Sequence, residues 1–161
     1  YARVGKDESI YELTDLNLVL NLVKLNLKDD IDKNEADVII SNPLPTIIAN
    51  KTSLLQVFQN LIENSLKFRS STNPIIKILC QKIDSNFWEF HVKDNGIGIA
   101  SNYQKKIFLP FKRLNDVERS GEGIGLSVCK KIIENHGGTI RFESIGKGKG
   151  TTFIFTFPIL S

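Results

Sequence analysis

Asp94-Asn95-Gly96-Ile97-Gly98-Ile99 joins a carboxylate to a glycine turn, and the strand in front of it decides where that carboxylate points. From Phe87 to Lys93, Trp88, Phe90 and Val92 alternate with Glu89, His91 and Lys93, so successive side chains go to opposite faces. Continuing the count places Asp94 on the apolar face. A carboxylate there is unfavourable unless hydrogen-bond donors meet it. Gly96 and Gly98 supply backbone freedom for a tight turn and room for a ligand to come close. The group reads as a recognition acceptor aimed into a pocket.

A second set lies on a helix. Asn60, Asn64 and Lys67 stand at i, i+4 and i+7, within a stripe about 60° wide at about 100° per residue. A solvated face would also carry such residues, but Asn is a mediocre helix former, so two on one line call for a reason. Carboxamide oxygens are hard ligands that suit a Mg²⁺ ion keeping several waters and binding phosphates. The Lys one turn on is a point charge for a phosphate oxygen. A third set, Gly121-Glu122-Gly123-Ile124-Gly125, opens a helix whose apolar face is Leu126, Cys129, Ile132 and Ile133. Free N–H groups and the positive dipole end at such a start suit phosphate.

The elements that must position these groups follow from the remaining pattern. Glu12–Leu16 reads as a short strand, and Asn17 as the cap of a helix to about Lys28 with Leu18, Leu22 and Leu25 at helical spacing. Val19, Val23 and Leu27 blur that face. Asp30–Ala36 is a polar connection, and Asp37–Ser41 and Pro45–Ala49 are two short strands around a proline turn. Asn50 or Ser53 caps a helix to about Phe68, with Leu54, Phe58, Leu61, Ile62 and Ser65 facing the sheet. Ile75–Ile83 and Phe87–Lys93 make a hairpin. A short helix spans Tyr103–Phe108, and Lys112–Glu122 is a polar loop with the profile of a lid. His136-Gly137-Gly138 stops the glycine-opened helix, and Thr139–Ser144 and Thr151–Pro158 are the last strands.

Composition sets the bounds. The chain has 161 residues, one domain's worth, with 41% hydrophobic and 24% charged residues as in a globular domain. A net charge of +3 without a basic block interleaved with aromatics gives no case for nucleic acid. There is no bilayer-length apolar run or signal peptide, so no direct membrane contact is expected. Cys80 and Cys129 read as buried, reduced thiols, which suits a cytoplasmic setting. The chain has no Met and is read as a piece of a longer protein.

Taken together, an Asn/Lys stripe, an Asp-Gly turn and a glycine-rich helix start suit the parts of one nucleotide. From about Leu13 to Pro158 the chain resembles the catalytic and ATP-binding domain of sensor histidine kinases. The resemblance rests on Asn60-Leu61-Ile62-Glu63-Asn64-Ser65-Leu66-Lys67-Phe68, Asp94-Asn95-Gly96-Ile97-Gly98, Ile107-Phe108-Leu109-Pro110-Phe111, Gly121-Glu122-Gly123-Ile124-Gly125-Leu126 and Gly148-Lys149-Gly150-Thr151-Thr152-Phe153, in family order and spacing. Phe68-Arg69 and Lys112-Arg113-Leu114 resemble particularly the kinases associated with phytochrome-like and PAS-type sensors. Tyr1-Ala2-Arg3-Val4 is similar to the last turn of the preceding dimerisation helix, so residues 1–10 are read as a linker and 11–161 as the domain.

The resemblance implies a two-layer α/β sandwich of the Bergerat type, with a mixed, largely antiparallel sheet and helices on one face. It implies ATP and Mg²⁺ as ligands. Carried over by position, Asp94 accepts from the adenine amino group beside Gly96 and Gly98, Phe68 packs on adenine, and Asn64 is the Mg²⁺ ligand. Asn60 and Lys67 support the phosphates, Arg113 reaches the γ-phosphate, and Gly121, Gly123 and Gly125 with Leu126 close over the triphosphate. Thr152 hydrogen-bonds near adenine, although it alternates away from Phe153. Phe108 and Phe111 anchor the lid. Glu122 departs from the family's small or hydroxyl residue, and Ser65 replaces the common Ala, with its hydroxyl expected to bond back to the helix.

ATPases of the same fold carry a glutamate at the position of Asn60. An amide cannot act as a general base, so transfer to a partner is favoured over hydrolysis, the hydrolysing relative being the alternative. Glu63 lies about 60° round the helix from Asn60 and reads as surface. His91 and His136 both read as structural, which puts the acceptor histidine on a dimerisation domain outside the chain, with a response regulator downstream. The parent would be soluble or membrane-anchored. A non-catalytic nucleotide-sensing or docking module is the other alternative.

Overall fold

Alternation of apolar and polar side chains makes Phe87–Asp94 the middle strand of a sheet covered on one face. The computed structural model describes residues 10–104, 106–109, 124–146 and 148–159. In chain order the elements are β1 (Glu12–Asp15), α1 (Leu16–Asn26), α2 (Lys28–Lys33), β2 (Asp37–Ile40), β3 (Thr46–Ala49), α3 (Lys51–Lys67), β4 (Ile75–Lys82), β5 (Phe87–Asp94), a 3₁₀ turn (Ser101–Tyr103), α4 (Ile124–Asn135), β6 (Ile140–Glu143) and β7 (Thr151–Pro158). The main sheet runs β2-β4-β5-β7-β6, parallel only between β2 and β4, and β1 pairs with β3 as a separate antiparallel ribbon. The mixed, mainly antiparallel sheet with a helical layer is the architecture expected.

The core is aromatic where β5 and β7 meet α3. Phe90 stacks on Phe155 at 5.3 Å, and Phe58 of α3 meets both edge-on at 6.1 and 5.6 Å. Such pairs add about 0.5–1.5 kcal/mol each beyond the area they bury. Leu54, Phe58, Leu61, Ile62 and Ser65 all lie buried on the inner face of α3. The other sheet face is polar, with Lys77, Gln81 and Lys93 exposed and His91 paired to Glu89 at 3.0 Å. That pairing holds the Glu89 carboxyl below its ordinary range.

The first helix is rotated from the sequence expectation. Asp15, not Asn17, caps it, accepting the Asn17 N–H at 2.9 Å. Its buried residues are Leu16, Val19, Leu20 and Val23, whereas Leu18 and Leu25 are exposed. Two opposite faces of this run are apolar, so periodicity alone could not choose. The choice is made at its entry: Leu16 follows β1 directly and donates its N–H to Pro45 O, which turns it inward. The Lys28–Lys33 helix escapes the pattern because it has no fully buried residue and only Ile31 packs partly on the core. Asp29 and Asp30 in its first turn and Lys33 in its last suit the helix dipole. The expected Tyr103–Phe108 helix is a 3₁₀ turn at Ser101–Tyr103. Phe108 packs on Phe142 and Phe153; Phe111 and the lid that the two were expected to anchor lie outside the described residues.

Asn50 caps α3 by accepting from Ser53 N–H at 2.9 Å, and His136 ties this end to α4. Its Nε2 accepts the Asn50 N–H at 3.2 Å, while Nδ1–H donates to Ile132 O at 2.9 Å. Burial pulls its pKa below the ordinary 6.5. With a depressed folded-state pKa, its stabilisation is present above the unfolded value and is lost as pH falls through the folded one. We therefore expect melting temperature to fall as pH drops below about 6.5, and His136→Gln, which cannot titrate, to flatten that part of the curve in thermal melts. Cys80 and Cys129 are free and buried, their thiols pushed to about 12 by burial. Among the described residues no helix is long and apolar enough to cross a membrane.

Candidate nucleotide site

Strand parity turns the Asp94 carboxylate inward, and three donors meet it there. Oδ2 accepts the Ser65 hydroxyl at 2.8 Å, and Oδ1 accepts the N–H groups of Gly96 at 2.9 Å and Thr151 at 3.2 Å. Burial raises its pKa, with the Gly96, Ser65 and Thr151 donors opposing that rise. An ionised carboxylate has about four lone-pair sites. The described residues fill three and leave one, on Oδ2, for an incoming donor.

The turn behind Asp94 is strapped on two sides. The carbonyl of Phe68, the C-cap of α3, accepts the Ile97 N–H at 3.0 Å, and a Cβ on Gly96 would come within 2.5 Å of it. On the other side, the loop between β6 and β7 folds back over the turn. Gly148 N–H donates to Ile97 O, and Gly150 N–H to Gly96 O at 3.1 Å. Ser144 Oγ accepts the Ile99 N–H at 3.0 Å and donates to Gly150 O at 2.9 Å. Gly98 and Gly150 both have φ of +78°, where a side chain would be strained.

The Asn/Lys stripe reaches this turn through the end of α3. Asn64 precedes Ser65, and its carbonyl accepts the Phe68 N–H at 3.1 Å. Asn64 and Phe68 are half-buried, and Lys67 is exposed. Asn60, one turn back, donates its amide N–H to Gly125 O at 3.3 Å, which docks the start of α4 on the stripe. Gly125 thus lies beside Asn60, and Leu126 is buried in the core. Arg113, Gly121, Glu122 and Gly123 lie outside the described residues.

Two expectations need correction. Thr152 is paired with Lys93 and Glu143, whereas Thr151 is the partner of Asp94. Thr151 shares the inward face with Phe153 and Phe155 and is buried; that parity was the signal available in the sequence. The Ser65 hydroxyl does not bond back to its helix but donates to Asp94. Ser144 went unremarked because a serine after a strand carries no pattern of its own. Among the described residues no three His, Cys, Asp or Glu side chains gather as a metal site. The carboxamides of Asn60 and Asn64 on α3 are hard donors of the kind that fits a cation held largely by phosphates and water.

Residues 49–161 match the family described as histidine kinase-, DNA gyrase B-, and HSP90-like ATPase. The chain belongs to that family. Within it the similarity is to histidine kinases. Cyanobacterial phytochrome A of Nostoc sp. is 42% identical over 160 residues, 99% of this chain and 20% of that protein. The adaptive-response sensory kinase SasA of Prochlorococcus marinus subsp. pastoris is 44% identical over 130 residues, 79% of this chain and 34% of the kinase. The chain thus spans about a fifth of the phytochrome's length. The solved catalytic domain of histidine kinase ThkA superposes with a TM-score of 0.77 at 30% identity, covering 92% of this chain and 95% of that one. The structure of full-length ShkA in complex with AMPPNP superposes with a TM-score of 0.78 at 25% identity, over 99% of this chain and 34% of that one. This histidine kinase-type domain is therefore an ATP-binding catalytic domain, with Asp94 at the end of its middle strand.

Proposed function

We propose that the domain holds Mg-ATP with the adenine amino group on Asp94 and presents the γ-phosphate to a histidine on a dimerisation domain of the same protein. The observation that carries this reading is the Asp94 carboxylate, turned inward and held by three donors that leave one Oδ2 lone pair open among the described residues. Gly96 and Gly98 let the base approach, Phe68 packs on its ring, and Thr151, beside Asp94, takes the hydrogen-bonding role near adenine expected of Thr152. Asn64 holds Mg²⁺, which would neutralise phosphate charge together with water. Asn60 and Lys67 support the phosphates, Arg113 reaches the γ-phosphate, and Gly121, Gly123 and Gly125 close over the chain of phosphates beside Leu126.

In the transfer, an imidazole nitrogen bonds to the γ-phosphorus, the bond to the β–γ bridging oxygen breaks, ADP leaves and the imidazole gives up its N–H proton. Positioning and charge neutralisation carry most of such a step. An amide at Asn60 has no basicity to activate water, which supports transfer over hydrolysis. A response regulator would receive the phosphoryl group, as a partnership of that kind is seen for ThkA, solved in complex with response regulator TrrA. The domain would work in the cytoplasm.

The test is incubation with γ-labelled ATP and Mg²⁺. The domain alone should stay unlabelled and transfer acid-labile label to the parent's dimerisation domain when that is added. Acid-labile label on this chain, or steady ATP hydrolysis without transfer, would contradict the proposal.

A further inference from the structure

We infer that Ser65 is a positioning residue for base recognition, its hydroxyl fixing the plane of the Asp94 carboxylate so that one Oδ2 lone pair stays open to an amino donor. The inference rests on the nucleotide reading above and adds a residue to it. Ser65 is 2% exposed and sits in the last turn of α3, where a serine hydroxyl can bond back to a carbonyl of the preceding turn. Here it donates to Asp94 Oδ2 at 2.8 Å.

The geometry explains why that donor matters. Rotation of a carboxylate about its last torsion is soft and roughly two-fold. Both N–H donors, from Gly96 and Thr151, fall on Oδ1. Ser65 alone among the described residues pins Oδ2, and it does so from the helix that carries the Asn/Lys stripe. It therefore relates the base-recognising oxygen to the groups proposed for the phosphates.

The same bond bears on which base is accepted. An ionised carboxylate is acceptor-only, so it receives a 6-amino group and repels a 6-oxo group; a protonated one can donate to the latter. Ser65 from α3, Gly96 from the turn and Thr151 from β7 are the groups that meet Asp94, Ile76 of β4 is its other strand neighbour, and no charged side chain among the described residues acts on it. Burial favours the protonated form, and the Ser65 hydroxyl is one of three bonds holding the ionised one.

The experiment is calorimetric titration of Mg-ATP and Mg-GTP into wild type, Ser65→Ala and Asp94→Asn between pH 5 and 8, with a thermal melt of each. At neutral pH, Ser65→Ala should bind ATP about tenfold more weakly, the loss of one hydrogen bond to a charged group. Its loss of ATP affinity on acidification should begin at higher pH than in wild type, and its preference for ATP over GTP should narrow over the same range. A Ser65→Ala domain with the wild-type pH profile and ATP-to-GTP ratio, whatever its melting temperature, would overturn the inference while leaving the nucleotide reading intact. An Asp94→Asn domain that binds ATP as wild type does would overturn both.

Discussion

Asp94→Asn should leave the domain folded and weaken Mg-ATP binding by about 10–100-fold, the range for a hydrogen bond to a charged group plus an opposed donor. The internal network can survive the change. The amide oxygen can keep the N–H bonds of Gly96 and Thr151, and the Ser65 hydroxyl can rotate to accept from the amide nitrogen. What changes is the open position, which now presents N–H to an incoming amino group. Stability should move little or rise. Burial raises the Asp94 pKa in the folded state, so its contribution is fully present below the unfolded value and is lost as pH climbs through the folded one. Asn has no such loss at neutral pH. Calorimetry with a melt of the same sample checks both halves, and unchanged affinity would count against the site.

Gly98→Ala should be the most damaging substitution in the turn. At φ of +78° an L residue is disfavoured by roughly 1–2 kcal/mol. The added Cβ would also sit 2.2 Å from Gly146 O, a backbone atom that cannot swing aside like a side-chain tip. Relief requires the loop between β6 and β7 to lift, which breaks the Gly148 to Ile97 and Gly150 to Gly96 bonds and the Ser144 bridge. We expect a loss of about 3 kcal/mol and a melting temperature lower by on the order of 10 °C, with ATP binding reduced further than stability alone accounts for. Gly125→Ala is the contrast. Its Cβ would meet Asn60 no nearer than 3.8 Å, ordinary contact, so the melt should be unchanged within about 1 kcal/mol. If both variants melted as wild type, the strap would not be holding the turn.

The parts legible in the sequence are those where one physical signal had no rival. Alternation through Trp88, Phe90 and Val92 placed Asp94 inward, and helical spacing from Leu54 to Ser65 gave the buried face of α3. The resemblance was equally firm, and the match to the histidine kinase-type family bears it out. Elsewhere two signals competed or none existed. The first helix offers apolar residues on opposite faces, and only the Asp15 cap and the Leu16 bond to Pro45 choose between them. The Lys28–Lys33 helix has no apolar stripe to read. Thr151 and Thr152 are identical side chains one residue apart, so a motif carried over by position can slip by one, and strand parity corrects it. Ser65 could satisfy its hydroxyl within its own helix, and only the folded distance to Asp94 shows that it does not.

The most direct measurement compares Mg-ATP with the triphosphate of purine riboside, which lacks the 6-amino group, on wild type and Asp94→Asn. Wild type should bind the truncated nucleotide about 10–100-fold more weakly than ATP, and Asp94→Asn should bind the two alike, because the lost donor and the lost acceptor are the two ends of one hydrogen bond. Equal affinity of wild type for both nucleotides would show that Asp94 does not read the base.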